Sequence, residues 1–172
     1  MSEIDLVLSV GKRYGITEAL DIYTSKIDVK DYVLAKCRFG CSMYGTNWCC
    51  PPSTHTPDET RQLLKEYSKA VLLIGESKGT SMHDEFRKGM LEIERNLVNK
   101  GFYKALALPM GPCRICENCT YLEGKPCRYP DQKRPSVEGM GIDILATVKR
   151  FKKNIDVVDR DKEKRFGLIL LD

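Results

Sequence analysis

Apolar residues recur at helical spacing in some stretches and run together in others, and that alternation predicts the framework. Ile4, Val7, Leu8 and Val10 give Glu3 to Tyr14 a short amphipathic helix. Ala19 to Val33 is rich in Ile, Val, Tyr and Thr with partial alternation, which predicts strands running into the first cysteines. Thr56-Pro57-Asp58-Glu59 reads as a helix start, with Thr as cap, Pro in the first position and Glu three residues after the cap; the helix should end near Ser68. Lys69 to Gly75 follows as a short apolar strand. Phe86, Met90, Ile93 and Leu97 then fall on one face of a helix that Ser81 would cap and Gly101 would stop. Phe102 to Leu108 predicts a further strand. A helix starting at Ser136 would carry the stripe Met140, Ile144, Val148 and Phe151, and Arg165 to Leu171 closes the chain as a hydrophobic strand.

Helix and strand alternate from Thr56 onward. That order predicts an α/β fold: a small mixed or parallel sheet flanked by helices, with two cysteine-rich metal-binding loops at about 37–52 and 111–135. No low-complexity linker divides residues 1–172, so one domain is expected, of a size that buries a core without disulfides. No apolar run approaches the ~20 residues of a membrane span. Glu3 and Asp5 stand where a signal peptide would carry Lys or Arg, which points to a cytoplasmic protein.

Composition changes the picture at one residue type. The chain holds eight cysteines, and a reducing compartment disfavours structural disulfides. They fall into two groups of four, Cys37, Cys41, Cys49 and Cys50, then Cys113, Cys116, Cys119 and Cys127. The residues between Cys50 and Cys113 contain none. Four thiolates complete a tetrahedral zinc or the four corners of a cubane cluster. Buried structural cysteines would instead occur singly within apolar runs.

The second group, Cys113-x2-Cys116-x2-Cys119-x7-Cys127, contains the C-x2-C-x2-C element of bacterial ferredoxins, which favours iron–sulfur over zinc. The first, Cys37-x3-Cys41-x7-Cys49-Cys50-Pro51-Pro52, is less regular. Cys50 directly precedes the diproline and is the favoured ligand of the vicinal pair. Cys49 is left open as fourth ligand, shield residue or ligand shared with another chain, and ligands crossing between the groups are left open too. Trp48, Phe39 and Tyr44 are placed to exclude water, although loop packing explains them equally well. His55 is a minor candidate ligand, and His83, in a first helical turn, is expected to be solvated. Arg128, Arg134 and Ser136 are better read as clamping the loop and capping a helix than as binding an anion.

The string Cys37-x3-Cys41-x2-Tyr44-Gly45-x-Asn47-Trp48-x-Cys50-Pro51-Pro52, followed by Gly111-Pro112-Cys113-Arg114-x-Cys116-x2-Cys119, Cys127-Arg128-x-Pro130, Arg134-Pro135-Ser136 and Gly141-Ile142-Asp143, resembles a family of predicted metal-binding proteins, the domain of unknown function 2284. The resemblance spans about Val33 to Val148. It implies cysteine-bound metal, with iron–sulfur clusters favoured, and no particular reaction. Cys49 looks like an addition to the recurring Cys50.

All eight cysteines are therefore candidate metal ligands. The leading expectation is two [4Fe–4S] clusters and electron transfer to or from a protein redox partner. A zinc-binding structural or interaction module is the alternative, and an enzyme with an open-site cluster a further one. Lys149 to Arg165 mixes eight basic residues with Asp156, Asp159, Asp161 and Glu163, which argues for a solvated surface rather than a nucleic-acid patch. Homo-oligomerisation is left open. The formal charge is +4. Two four-thiolate centres of about −2 each would offset it, so the mild basicity reads as compensation for anionic sites.

Overall fold

The structure is a computed structural model that describes residues 2–77, 82–156 and 163–172. The expected Ser81 cap and the 157–162 part of the mixed-charge stretch lie outside the described residues. In chain order the elements are α1 (Glu3–Gly11), β1 (Ile16–Tyr23), α2 (Asp31–Gly40), α3 (Pro57–Lys65), β2 (Lys69–Ser77), α4 (Met82–Asn99), β3 (Leu106–Pro109), α5 (Ile144–Phe151) and β4 (Glu163–Leu170).

Local chemistry explains most of the boundaries. Thr56 accepts from the backbone N–H of Glu59 at 3.3 Å while the Glu59 carboxylate accepts from that of Thr56 at 2.8 Å, the reciprocal cap expected from the sequence. Gly101, at φ +103°, turns the chain after α4 in a conformation that L side chains rarely adopt. Ser136 does not begin a helix. Its hydroxyl accepts from Gly139 N at 3.1 Å within a turn, and α5 starts later, where Asp143 accepts from Ala146 N at 3.0 Å.

The sheet order is β1-β2-β4-β3, and every neighbouring pair is antiparallel, with Leu72 opposite Leu20 on one side and Leu168 on the other. The layered α/β architecture is as expected; the mixed or parallel sheet is corrected to an antiparallel one. β2 and β3 do run the same way, joined by α4 as a crossover would join them, but β4 inserts between them and runs against both.

Both faces of the sheet are covered. Val71, Leu73 and Ile169 pack with Leu6, Val7 and Val10 of α1 and with Phe86, Met90, Ile93 and Leu97 of α4. Leu72, Ile74, Phe166, Leu168 and Leu170 pack on the other side with Leu64 of α3, Ile144 and Val148 of α5, and Val137, Met140 and Ile142 of the preceding turn. Two-sided burial accounts for the uninterrupted apolar runs of β2 and β4. Among the described residues no helix is long and apolar enough to cross a membrane.

Candidate metal centres

Three stretches meet beside the end of β3: the C-terminal part of α2 with the loop after it, the chain that leaves β3 at Met110, and residues 134–138. Arg87 of α4 ties two of them together, donating to the carbonyls of Gly111 and Arg134 at 3.0 Å each. Arg134 donates to Glu94 of α4 through Nε at 2.8 and 3.1 Å and also through Nη2. Ser136 N donates to the Cys49 carbonyl at 2.9 Å, and Val137 N to the Pro109 carbonyl at 2.9 Å.

Cys37 lies on α2 rather than in a loop, and Cys41 N closes the last turn of that helix on the Cys37 carbonyl at 3.3 Å. The loop then folds back through Gly45 N and the Pro51 carbonyl at 2.8 Å. This brings Cys50 to the cavity that Cys37 and Cys41 line, a space of about 180 Å³ also walled by Tyr44, Ser136 and Glu138. Burial, followed by the nearby Glu138, Cys41 and Cys50 groups, pushes the Cys37 thiol up to about 11. Burial likewise raises Cys50, against hydrogen bonds with Asn47 and Ser136 that favour its thiolate. Glu138 is half-buried and accepts from Gly111 N at 3.0 Å. Desolvation raises its carboxyl above the ordinary range, opposed by that backbone N–H and by Arg165 and Arg87.

Cys49 points the other way. It lines a second cavity with Cys113, Cys116, Cys119 and Cys127, so the vicinal pair is divided and the eight thiols fall three and five between two sites. Asn47, buried at the junction, accepts from Cys49 N at 2.9 Å. Cys49 and Cys113 share a side-chain hydrogen bond. It holds the Cys113 thiol below the ordinary range, helped by the Ile115 N–H and Arg87, and together with burial it pushes Cys49 up. One sulfur of the pair is thus favoured as the thiolate form that binds metals. Tyr129 N donates to Cys127 Sγ at 3.4 Å.

Trp48 belongs to this second site as well. Its Nε1–H donates to the Lys125 carbonyl at 3.2 Å, and its ring meets Tyr121 edge-on with centroids 5.0 Å apart. Tyr44 walls the first cavity, whereas Phe39 is 82% exposed and shields nothing. His55 is exposed and lines neither cavity. His83 is not solvated but 2% exposed, and its Nε2–H donates to the Pro112 carbonyl at 2.7 Å. Arg128 donates to the Asn118 carbonyl at 2.8 Å and Arg134 to Glu94, so both clamp backbone and helix.

Thiols with a carboxylate and a hydroxyl form a donor set suited to zinc or iron–sulfur groups. The first cavity, about 180 Å³ between walls that carry three thiols, has room for roughly six waters. The walls of the second stand closer, leaving about 20 Å³. Among the described residues no three His, Cys, Asp or Glu side chains converge as a ready cage for one ion.

Glu138 falls within the 134–143 stretch and Asn47 within the first motif, where the sequence marks them as part of a candidate segment without giving either a role of its own; Arg87 sits in an ordinary helical pattern and carries no signal. The sequence model of a family described as predicted metal-binding protein (DUF2284) matches residues 21–171. No curated protein and no solved structure matches the chain.

Proposed function

We propose, from the premise that the chain belongs to the DUF2284 family of predicted metal-binding proteins, that it carries two [4Fe–4S] clusters and exchanges electrons with a protein redox partner in the reducing cytoplasm. The observation that carries this is the division of the eight thiols between two adjoining cavities, each with at least three sulfurs. When bound, such clusters supply one-electron transfer at potentials tuned by hydrogen bonds to sulfur and by exposure.

Cys113, Cys116, Cys119 and Cys127 hold the second group, and the Cys49 hydrogen bond tunes the Cys113 sulfur. Cys37, Cys41 and Cys50 hold the first, with Glu138 as the oxygen donor at the fourth position. Trp48 and Tyr121 keep water from one flank of the second centre. Arg87 opposes the negative charge that both centres bring. Ile115, Leu122 and Tyr129, at 41%, 66% and 42% exposure, surround the second loop with the apolar surface a protein partner would cover.

The closeness of the second cavity's walls favours a zinc site there as the second reading. Iron, sulfide and zinc measured on anaerobically purified protein separate the two. Two clusters require about eight iron and eight sulfide per chain with a brown chromophore. Colourless protein with stoichiometric zinc overturns them.

A further inference from the structure

We infer that the cavity between α4 and the second cysteine loop binds a small organic monoanion, a carboxylate with a compact apolar body, alongside the second metal centre. The cavity is the one on the opposite side of Ile115 from the Cys113–Cys127 thiols: Ile115 lines both spaces. Its volume of about 290 Å³ is at the small end of ligand sites.

Three surfaces build it. Asp84, Arg87, Lys88 and Leu91 follow one another at intervals of three, one and three along α4, which sets them on one helical face. Met90, Ala107 and Pro109 form an apolar floor where the helix meets β3, and Arg114 with Ile115 forms the facing wall. A mostly apolar space bordered by a few charged groups is the usual character of a site for an organic ligand.

The charges select the ligand's sign and its number of charges. Four cations and one carboxylate line the cavity. Lys88 pairs with Glu85 at 2.9 Å, and Arg134 is engaged by Glu94. Arg87 and Arg114 make no ion pair among the described residues; Arg87 donates only to backbone carbonyls. Arg87 also faces the thiols of the two centres and is shared with them, so Arg114 is the guanidinium left to the ligand: its unpaired N–H donors take one carboxylate, while Asp84 in the same lining opposes a phosphate dianion. Arg114 is exposed and stands beside Cys113, so a ligand it held would sit against the second centre's wall.

The site goes beyond the redox reading and does not depend on which metal is bound. The test is methyl-resolved NMR on anaerobically purified, metal-analysed protein, following Met90, Leu91 and Ile115 during titration with benzoate, benzyl alcohol, benzylamine and phenyl phosphate. Benzoate should give saturable shifts confined to these methyls and bind about tenfold more tightly than the alcohol, the worth of one charge-assisted hydrogen bond. Benzylamine should not bind, and phenyl phosphate should bind more weakly than benzoate. Arg114→Gln should remove the benzoate preference while leaving the alcohol's affinity unchanged. Leu91→Trp, filling the cavity, should abolish both while the remaining spectrum stays dispersed. Equal affinity for acid and alcohol, no saturable shift with benzoate, or an unaltered preference in Arg114→Gln overturns the assignment. Metal content in the same samples reports on the cluster reading separately, because a zinc-loaded protein that binds benzoate leaves this cavity intact.

Discussion

Glu94→Gln is expected to destabilise the folded chain by about 2–3 kcal/mol, although it swaps one oxygen for one nitrogen. The Glu94 carboxylate is 7% exposed and accepts from Ala107 N at 2.6 Å as well as from the Arg134 guanidinium. Gln retains an oxygen for the β3 N–H, so that bond survives; what is lost is the charge opposite Arg134. Removing one partner of a fully buried pair costs about 3–5 kcal/mol. Arg134 is 19% exposed, so water recovers part of that, which sets the lower figure. Arg134→Met leaves the carboxylate buried with only the Ala107 N–H and should cost a similar amount. The double variant removes both charges, and the two losses should overlap by about 2 kcal/mol. Urea denaturation under anaerobic conditions at neutral pH reads this as a midpoint lower by about 1 M in each single variant. Losses that add to within about 0.5 kcal/mol would show that the pair is not coupled and refute the reasoning. The pair matters to the centres because it fastens residues 134–138, which carry Ser136 and Glu138 to the first cavity.

Gly111→Ala should cost about 2–4 kcal/mol, since the residue sits at φ +81° and a Cβ would stand 2.7 Å from His83 Cε1; an unfolding midpoint equal to wild type would contradict this. His83 gives an acid-side dependence. Burial holds its imidazole below the ordinary range despite the Pro112 carbonyl, and Arg165, Arg114 and Arg87 add to the lowering. Because the folded pKa is depressed, its contribution is complete above about pH 6.5 and is lost as pH falls toward the folded value. His83→Gln keeps a donor for Pro112, so the stability gap between wild type and variant should shrink or reverse on acidification, and a gap constant from pH 7.5 to 5 would count against it.

Where periodicity and burial coincide, the fold is legible in the sequence. The Phe86, Met90, Ile93 and Leu97 stripe is buried as its spacing requires, and the Thr56 and Glu59 cap forms as written. α2 is not legible because it buries only Val33, leaving no stripe to betray a helix, and its first turn overlaps the Ile-, Val- and Thr-rich stretch 19–33 that reads as strand. Strand sense was hidden for another reason: a final strand that slots between β2 and β3 leaves the local alternation of helix and strand unchanged while reversing every pairing. The cysteine spacing exposed the two groups but not their division, because Cys49 and Cys50 are adjacent in sequence and diverge only through Asn47 and the Ser136 contact. The burial of His83 is not legible in the sequence because its cover comes from Gly111 and Pro112, far along the chain.

The division of the vicinal cysteines is tested most directly by iron and sulfide content in Cys49→Ala and Cys50→Ala, purified anaerobically side by side. Cys50→Ala removes a thiol from the three-sulfur site and should lower the content from about eight to about four of each, whereas Cys49→Ala should keep about eight and shift only the potential of one centre. Equal losses in the two variants, or loss in Cys49→Ala alone, would contradict the assignment of Cys50 to the first centre and Cys49 to the flank of the second.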